Sequence, residues 1–185
     1  QAQPERILIL GWNWRVPFII NELENYVAPG STTTVAADFA NGGDEIAQRC
    51  AEVKKQAIAF QQGDTTNRRM LDGLVIETYD HVILLSYSDV LGVQEADART
   101  LITLLHLRDI AQRTGHSFSI VSEILDIRNL KLAEVTRPDD FVVSGRLVSL
   151  ALAQIAENKA LAGVFADLFD PQGSELYLKP AADYV

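Results

Sequence analysis

The 185 residues, 48% of them hydrophobic, suffice for one domain of ordinary size that buries roughly two-thirds of its unfolded surface without disulfide or metal support. Sixteen basic against 25 acidic residues give a net charge of −9, which works against nucleic acid as a partner, because such affinity rests on clustered Lys and Arg. A single Cys50 excludes an intrachain disulfide or cysteine-based zinc site and fits a reducing compartment, and no apolar run reaches the roughly 20 residues that span a bilayer.

In chain order, apolar runs bounded by turns alternate with helical periodicities, the signature of βαβ units around a parallel sheet. The first predicted strand, Arg6–Leu10, ends at Gly11, and the first helix carries Val16, Ile19, Ile20, Leu23 and Val27 on one face before Pro29-Gly30. Strands over Thr33–Ala37 and Ala57–Gln61 flank a helix over about Asp44–Lys55, and a short helix over Thr66–Leu71 follows. A strand over His81–Leu85 leads into a long helix, Val93–Arg113, that stops at Gly115. Strands over Ser117–Val121 and Asp140–Val143 complete a doubly wound, mostly parallel six-stranded α/β sheet. Residues Leu147–Ala156 are apolar on nearly every side, which for a helix means burial all round, within this chain or against a neighbouring subunit. A helix over Ala160–Phe169 and a strand over Glu175–Pro180 close the sequence. The expected organisation is a Rossmann-like core over residues 1–145, with crossover helices and the start of a following lobe over 146–185. The chain begins at Gln1 without Met and without a leader-like pattern, so it reads as an excised or processed piece.

In open α/β folds ligands lie outside the carboxyl ends of the strands. Here those ends offer Gly11, Trp12, Asn13, Trp14 and Arg15 after strand one, Asp38 after strand two, Gly63 and Asp64 after strand three, Ser86 and Asp89 after strand four, and Glu123 and Asp126 after strand five. A dinucleotide fingerprint needs three glycines, and only Gly11 is present; Asn13 and Val16 stand where the second and third belong. NAD in its usual pose is therefore disfavoured. Asp38 is placed for a ribose hydroxyl, and equally as a helix cap. Asp64, Asp89, Glu123 and Asp126 could together supply oxygen ligands to a hard cation such as Ca2+, although each is also explained singly as a cap or turn former. His81, His106 and His116 are scattered, and there is no G-x-S-x-G elbow, P-loop or H-E-x-x-H, so no enzymatic activity is expected and no catalytic residue is assigned.

The motifs Gly11-Trp12-Asn13-Trp14-Arg15, Asn25-Tyr26-Val27-Ala28-Pro29-Gly30-Ser31 and Ser122-Glu123-Ile124-Leu125-Asp126 resemble the cytosolic Rossmann-type domain of Castor/Pollux-related ion channels, itself similar to RCK or TrkA-N regulatory domains. The tail extends the resemblance, through Asp139-Asp140-Phe141-Val142-Val143-Ser144, Leu147 to Gln154, Leu168-Phe169-Asp170-Pro171 and Gly173 to Pro180. The resemblance implies a soluble domain at the cytosolic face of a membrane, covalently linked to a pore domain, self-associating as a dimer or gating ring, and coupling an effector to pore opening. It brings Ca2+ forward as the effector and makes Leu147, Leu150, Leu152 and Ile155 an interface between domains. The alternatives are a soluble Rossmann-type nucleotide-sensing transport subunit and a degenerate NAD-binding enzyme fragment. Effector, ion selectivity and ring stoichiometry stay open at the level of sequence.

Overall fold

The computed structural model describes residues 3–116, 118–129, 132, 140–142 and 144–171. Strands β1 (Arg6–Leu10), β2 (Ser31–Ala37), β3 (Gln56–Gln62), β4 (His81–Leu84), β5 (Ser119–Glu123) and β6 (Asp140–Val142) form one parallel sheet in the order β3-β2-β1-β4-β5-β6. Parallel neighbours require crossovers, and helices α1 (Val16–Tyr26), α2 (Gly42–Arg49), α3 (Arg68–Gly73) and α4 (Val93–Thr114) supply them. The strand order reverses between β1 and β4, which opens the crevice of the doubly wound fold at that point.

Alternation along β1 divides its side chains between two cores. Leu8 and Leu10 join Leu104, Leu107 and Ile110 of α4 on one face, while Ile7 and Ile9 join Val16 and Ile20 of α1 on the other. Both faces are therefore covered, as a parallel sheet requires. Each such aliphatic side chain contributes about 1.5–3 kcal/mol on burial, so the central strands anchor the fold and the loops at their carboxyl ends are held from below.

Element boundaries shift where local polar chemistry intervenes. The second helix ends at Arg49, not near Lys55, because Glu24 draws the following backbone into a connection: its Oε1 accepts from Lys54 N at 2.9 Å and Lys55 N at 2.7 Å. The third starts at Arg68, two residues late, because the Asn67 side chain caps it by accepting from Arg69 N. The fifth strand runs over Ser119–Glu123, two residues later than predicted, and thereby carries Glu123 to the crevice.

The chain divides into two compact units, Gln1–Arg146 and Leu147–Val185. Helix α5 (Ser144–Glu157) lies largely in the second unit, with α6 (Leu161–Phe169), where Phe165 and Phe169 stack at 6.4 Å. Leu147, Leu150 and Leu152 of α5 are exposed, between 49% and 64%, and Ile155 is half-buried. The strand expected over Glu175–Pro180 lies outside the described residues. Among the described residues no helix is long and apolar enough to cross a membrane.

Candidate functional site: the carboxyl edge of the sheet

Beyond β1 the chain turns at Gly11, which has φ +88° and donates its N–H to Ala36 O at 3.0 Å. A Cβ at this position would collide with the Leu85 carbonyl at the end of β4, so glycine is required both by conformation and by space. Trp12 follows and turns inward: it is 4% exposed, stacks on Phe39 at 4.7 Å and meets Phe60 edge-on at 5.9 Å. Trp12, expected among the ligand-contacting side chains, is thus placed in the core beside Phe39 and Phe60. Trp14 is exposed, with the Arg15 guanidinium 5.0 Å over its ring and Phe18 edge-on at 5.6 Å.

The amides that lead into α1, from Trp14 to Val16, are already engaged. Trp14 N donates to Asp89 Oδ2 at 2.6 Å, Arg15 N to Asn13 Oδ1 at 3.0 Å and Val16 N to Asn13 O at 3.0 Å, while Pro17 has no N–H. Asn13 is completely buried and directs its Nδ2 to Ser86 O at 2.8 Å and to Glu123 Oε2 at 2.9 Å. The same Glu123 oxygen accepts from Ser86 N at 3.2 Å, and Oε1 accepts from Arg15 Nη1 at 3.0 Å. Glu123, 5% exposed, is a buried carboxylate compensated by an asparagine, a backbone amide and an arginine, as burial of charge demands. Ser86 belongs to this network through its backbone; its buried hydroxyl has no hydrogen-bond partner among the described residues.

The other half of the crevice is organised by two residues that strand-end reasoning did not single out. Tyr87 accepts Asp38 N on its hydroxyl at 2.8 Å and lies beside Gly11. Arg99, from α4, places its guanidinium 5.0 Å over the Tyr87 ring and bridges Asp64 Oδ1 at 2.8 Å and Asp38 Oδ2 at 3.6 Å. The acid expected to take a ribose hydroxyl is therefore half of an internal ion pair. Burial pushes the Tyr87 hydroxyl up against the opposing pull of the Asp38 amide. Burial would also raise Asp64, but the Thr66 N–H and hydroxyl and the Arg99 charge outweigh it and hold the carboxyl low. Tyr87 lies between Ser86 and Asp89, within reach of strand-end reasoning; Arg99 left no local signal, since only the fold brings the second turn of α4 across to strands two and three. Gly63 closes this side, donating to Ala37 O at 2.9 Å under the Met70 side chain.

The four acids suggested as cation ligands do not converge. Asp64 is held by Arg99 and Thr66, Asp89 by Trp14 N, Glu123 by Asn13, Arg15 and Ser86, and Asp126 by Arg128 and Gln94. Among the described residues no three His, Cys, Asp or Glu side chains gather to hold a metal. Each acid found a nearer donor in its own surroundings, which is the physical reason the sequence grouping separates. Asp97, buried at the start of α4, likewise serves the structure. It accepts Leu125 N at 2.9 Å, Asp126 N at 3.0 Å and Asn129 Nδ2 at 2.8 Å, fixing the loop after β5.

This edge is a Rossmann crevice in topology and an occupied one in detail. No protein-family model matches the chain. The ion channel POLLUX of Lotus japonicus is 32% identical over 98% of this chain and 24% of its own length, and the ion channel DMI1 of Medicago truncatula is 32% identical over the same shares. This chain is similar to the Castor/Pollux ion channels. It spans about a quarter of the length of these relatives. Among solved structures the GsuK channel superposes with a TM-score of 0.57 at 16% identity, over 78% of this chain and 22% of that one. The TrkA-N domain of the Escherichia coli inner membrane protein YbaL gives 0.55 at 12% identity, over 83% and 98%. At such identities these structures speak to the fold alone. The fold is that of RCK and TrkA-N domains, and the Castor/Pollux resemblance holds over nearly the entire chain.

Proposed function

We propose that this chain is the regulatory domain of a cation channel, acting at the cytosolic face of the membrane and coupling effector binding and domain assembly to the opening of a covalently linked pore. The observation that carries the reading is the match to ion channels over 98% of the chain. The RCK-type fold supports the regulatory role, and the exposed Leu147, Leu150 and Leu152 of α5, with half-buried Ile155, support self-association. The domain catalyses nothing in this reading: its strand ends carry ion pairs and buried hydrogen bonds that hold loops in place. It acts by differential binding, since an effector that binds one arrangement of the assembly more tightly shifts the pore by no more than that difference.

Ca2+ is the effector the resemblance favours. Its ligands would have to be released from the partners described above, Arg99 leaving Asp64 foremost, so binding would be linked to a rearrangement of the crevice. Calorimetric titration with Ca2+, K+ and NAD tests the effector assignment. A saturable heat with Ca2+ and none with NAD is expected; silence with all three would leave a purely structural ring module.

A further inference from the structure

We propose that Glu123 and Asp89 determine the class of ligand this crevice admits: Asp89 holds the Trp14 amide and Glu123 the Arg15 guanidinium that a phosphate would use, and the crevice therefore rejects nucleotides. The inference rests on the crevice being the ligand site, and it concerns what that site excludes.

In a dinucleotide-binding turn the pyrophosphate is held by free backbone amides where the first helix begins, with the helix dipole favouring the negative charge. Here the amides of residues 14, 15 and 16 are bonded to Asp89, to the Asn13 side chain and to the Asn13 carbonyl, and residue 17 is proline. The basic side chain of that turn is engaged as well, because Arg15 Nη1 rests on Glu123 Oε1 at 3.0 Å. Asn13, where a second glycine would let a phosphate approach the backbone, instead fills the space and donates to Glu123 Oε2 at 2.9 Å. Two carboxylates thus supply to the turn the negative charge that a nucleotide supplies elsewhere.

The electrostatic consequence is selective. A phosphate brought to this turn would lie beside a carboxylate that is 5% exposed, where solvent screens little, and would have to displace Asp89 from Trp14 N. On the ribose side Asp38 is exposed and lies 3.6 Å from Arg99, a contact a ribose hydroxyl could replace, so the exclusion rests on the phosphate side. A neutral or cationic ligand meets no such repulsion.

The test is calorimetric titration of ADP into the wild-type chain and into Asp89→Ala, Glu123→Gln and the double variant, with circular dichroism and thermal melting to establish that each is folded. The wild type is expected to give no saturable heat at millimolar ADP, and the double variant to bind at least about tenfold more tightly. Asp89 is exposed, so Asp89→Ala leaves the core intact and on its own is expected to show part of the gain. Tight ADP binding by the wild type, or folded variants that bind no better than it, would overturn the proposal. If Glu123→Gln fails to fold, Asp89→Ala alone decides. Failure of the Ca2+ titration or of self-association would count against the regulatory reading and leave this outcome untouched.

Discussion

Gly11 shows how one residue can carry the geometry of a site. Its left-handed backbone, and the absence of a Cβ that would collide with the Leu85 carbonyl, let the chain turn beside β4 where the strand order reverses. Gly11→Ala is expected to destabilise the chain by about 2–4 kcal/mol, combining backbone strain with steric overlap, as measured by urea denaturation. An unchanged midpoint would show that the turn relaxes. Gly11 was legible in the sequence because a glycine between an apolar strand and a helix has few other uses. Asn13 was legible only as a departure from a pattern; that it would be fully buried and bonded to Glu123, 110 positions away, had no local sign. The burial of Trp12 had no local sign either, since Phe39 and Phe60, which pack against it, lie far along the chain.

At the scale of elements, the strands were readable because their apolar runs are short, continuous and bounded by turns, whereas helix ends depended on side chains from elsewhere. Glu24 on α1 decides where the chain leaves α2, and Asn67 decides where α3 begins. The loop after β5 is fixed from two sides, by Asp97 on α4 and by the Asp126–Arg128 pair within it. Hydrogen bonds from Arg128 lower the Asp126 carboxyl from its ordinary 3.8 to about 2. A carboxyl depressed in the folded state contributes stability that is present above its unfolded value and lost as pH falls through its folded value. Asp126 should therefore add to acid destabilisation between roughly pH 4 and pH 2. In acid titrations followed by circular dichroism, Asp126→Asn is expected to show a shallower loss of stability in that window. An identical slope in the variant would remove Asp126 from the account.

At the scale of the whole molecule, a doubly wound sheet carries paired side chains in the crevice where its strand order reverses, while a second unit presents α5 with large apolar residues exposed. A helix with Leu147, Leu150 and Leu152 at 49% exposure or more is an unsatisfied surface for an isolated chain and a natural one for a module that works by assembly. Periodicity in the sequence had already marked this stretch as needing burial on every side, but it left open whether the cover came from the same chain. Sedimentation velocity over a range of concentrations, comparing the wild type with Leu150→Glu/Leu152→Glu, tests the central claim most directly. The account predicts concentration-dependent self-association of the wild type and a monomeric variant of unchanged helicity; a wild type that stays strictly monomeric at high concentration would contradict it.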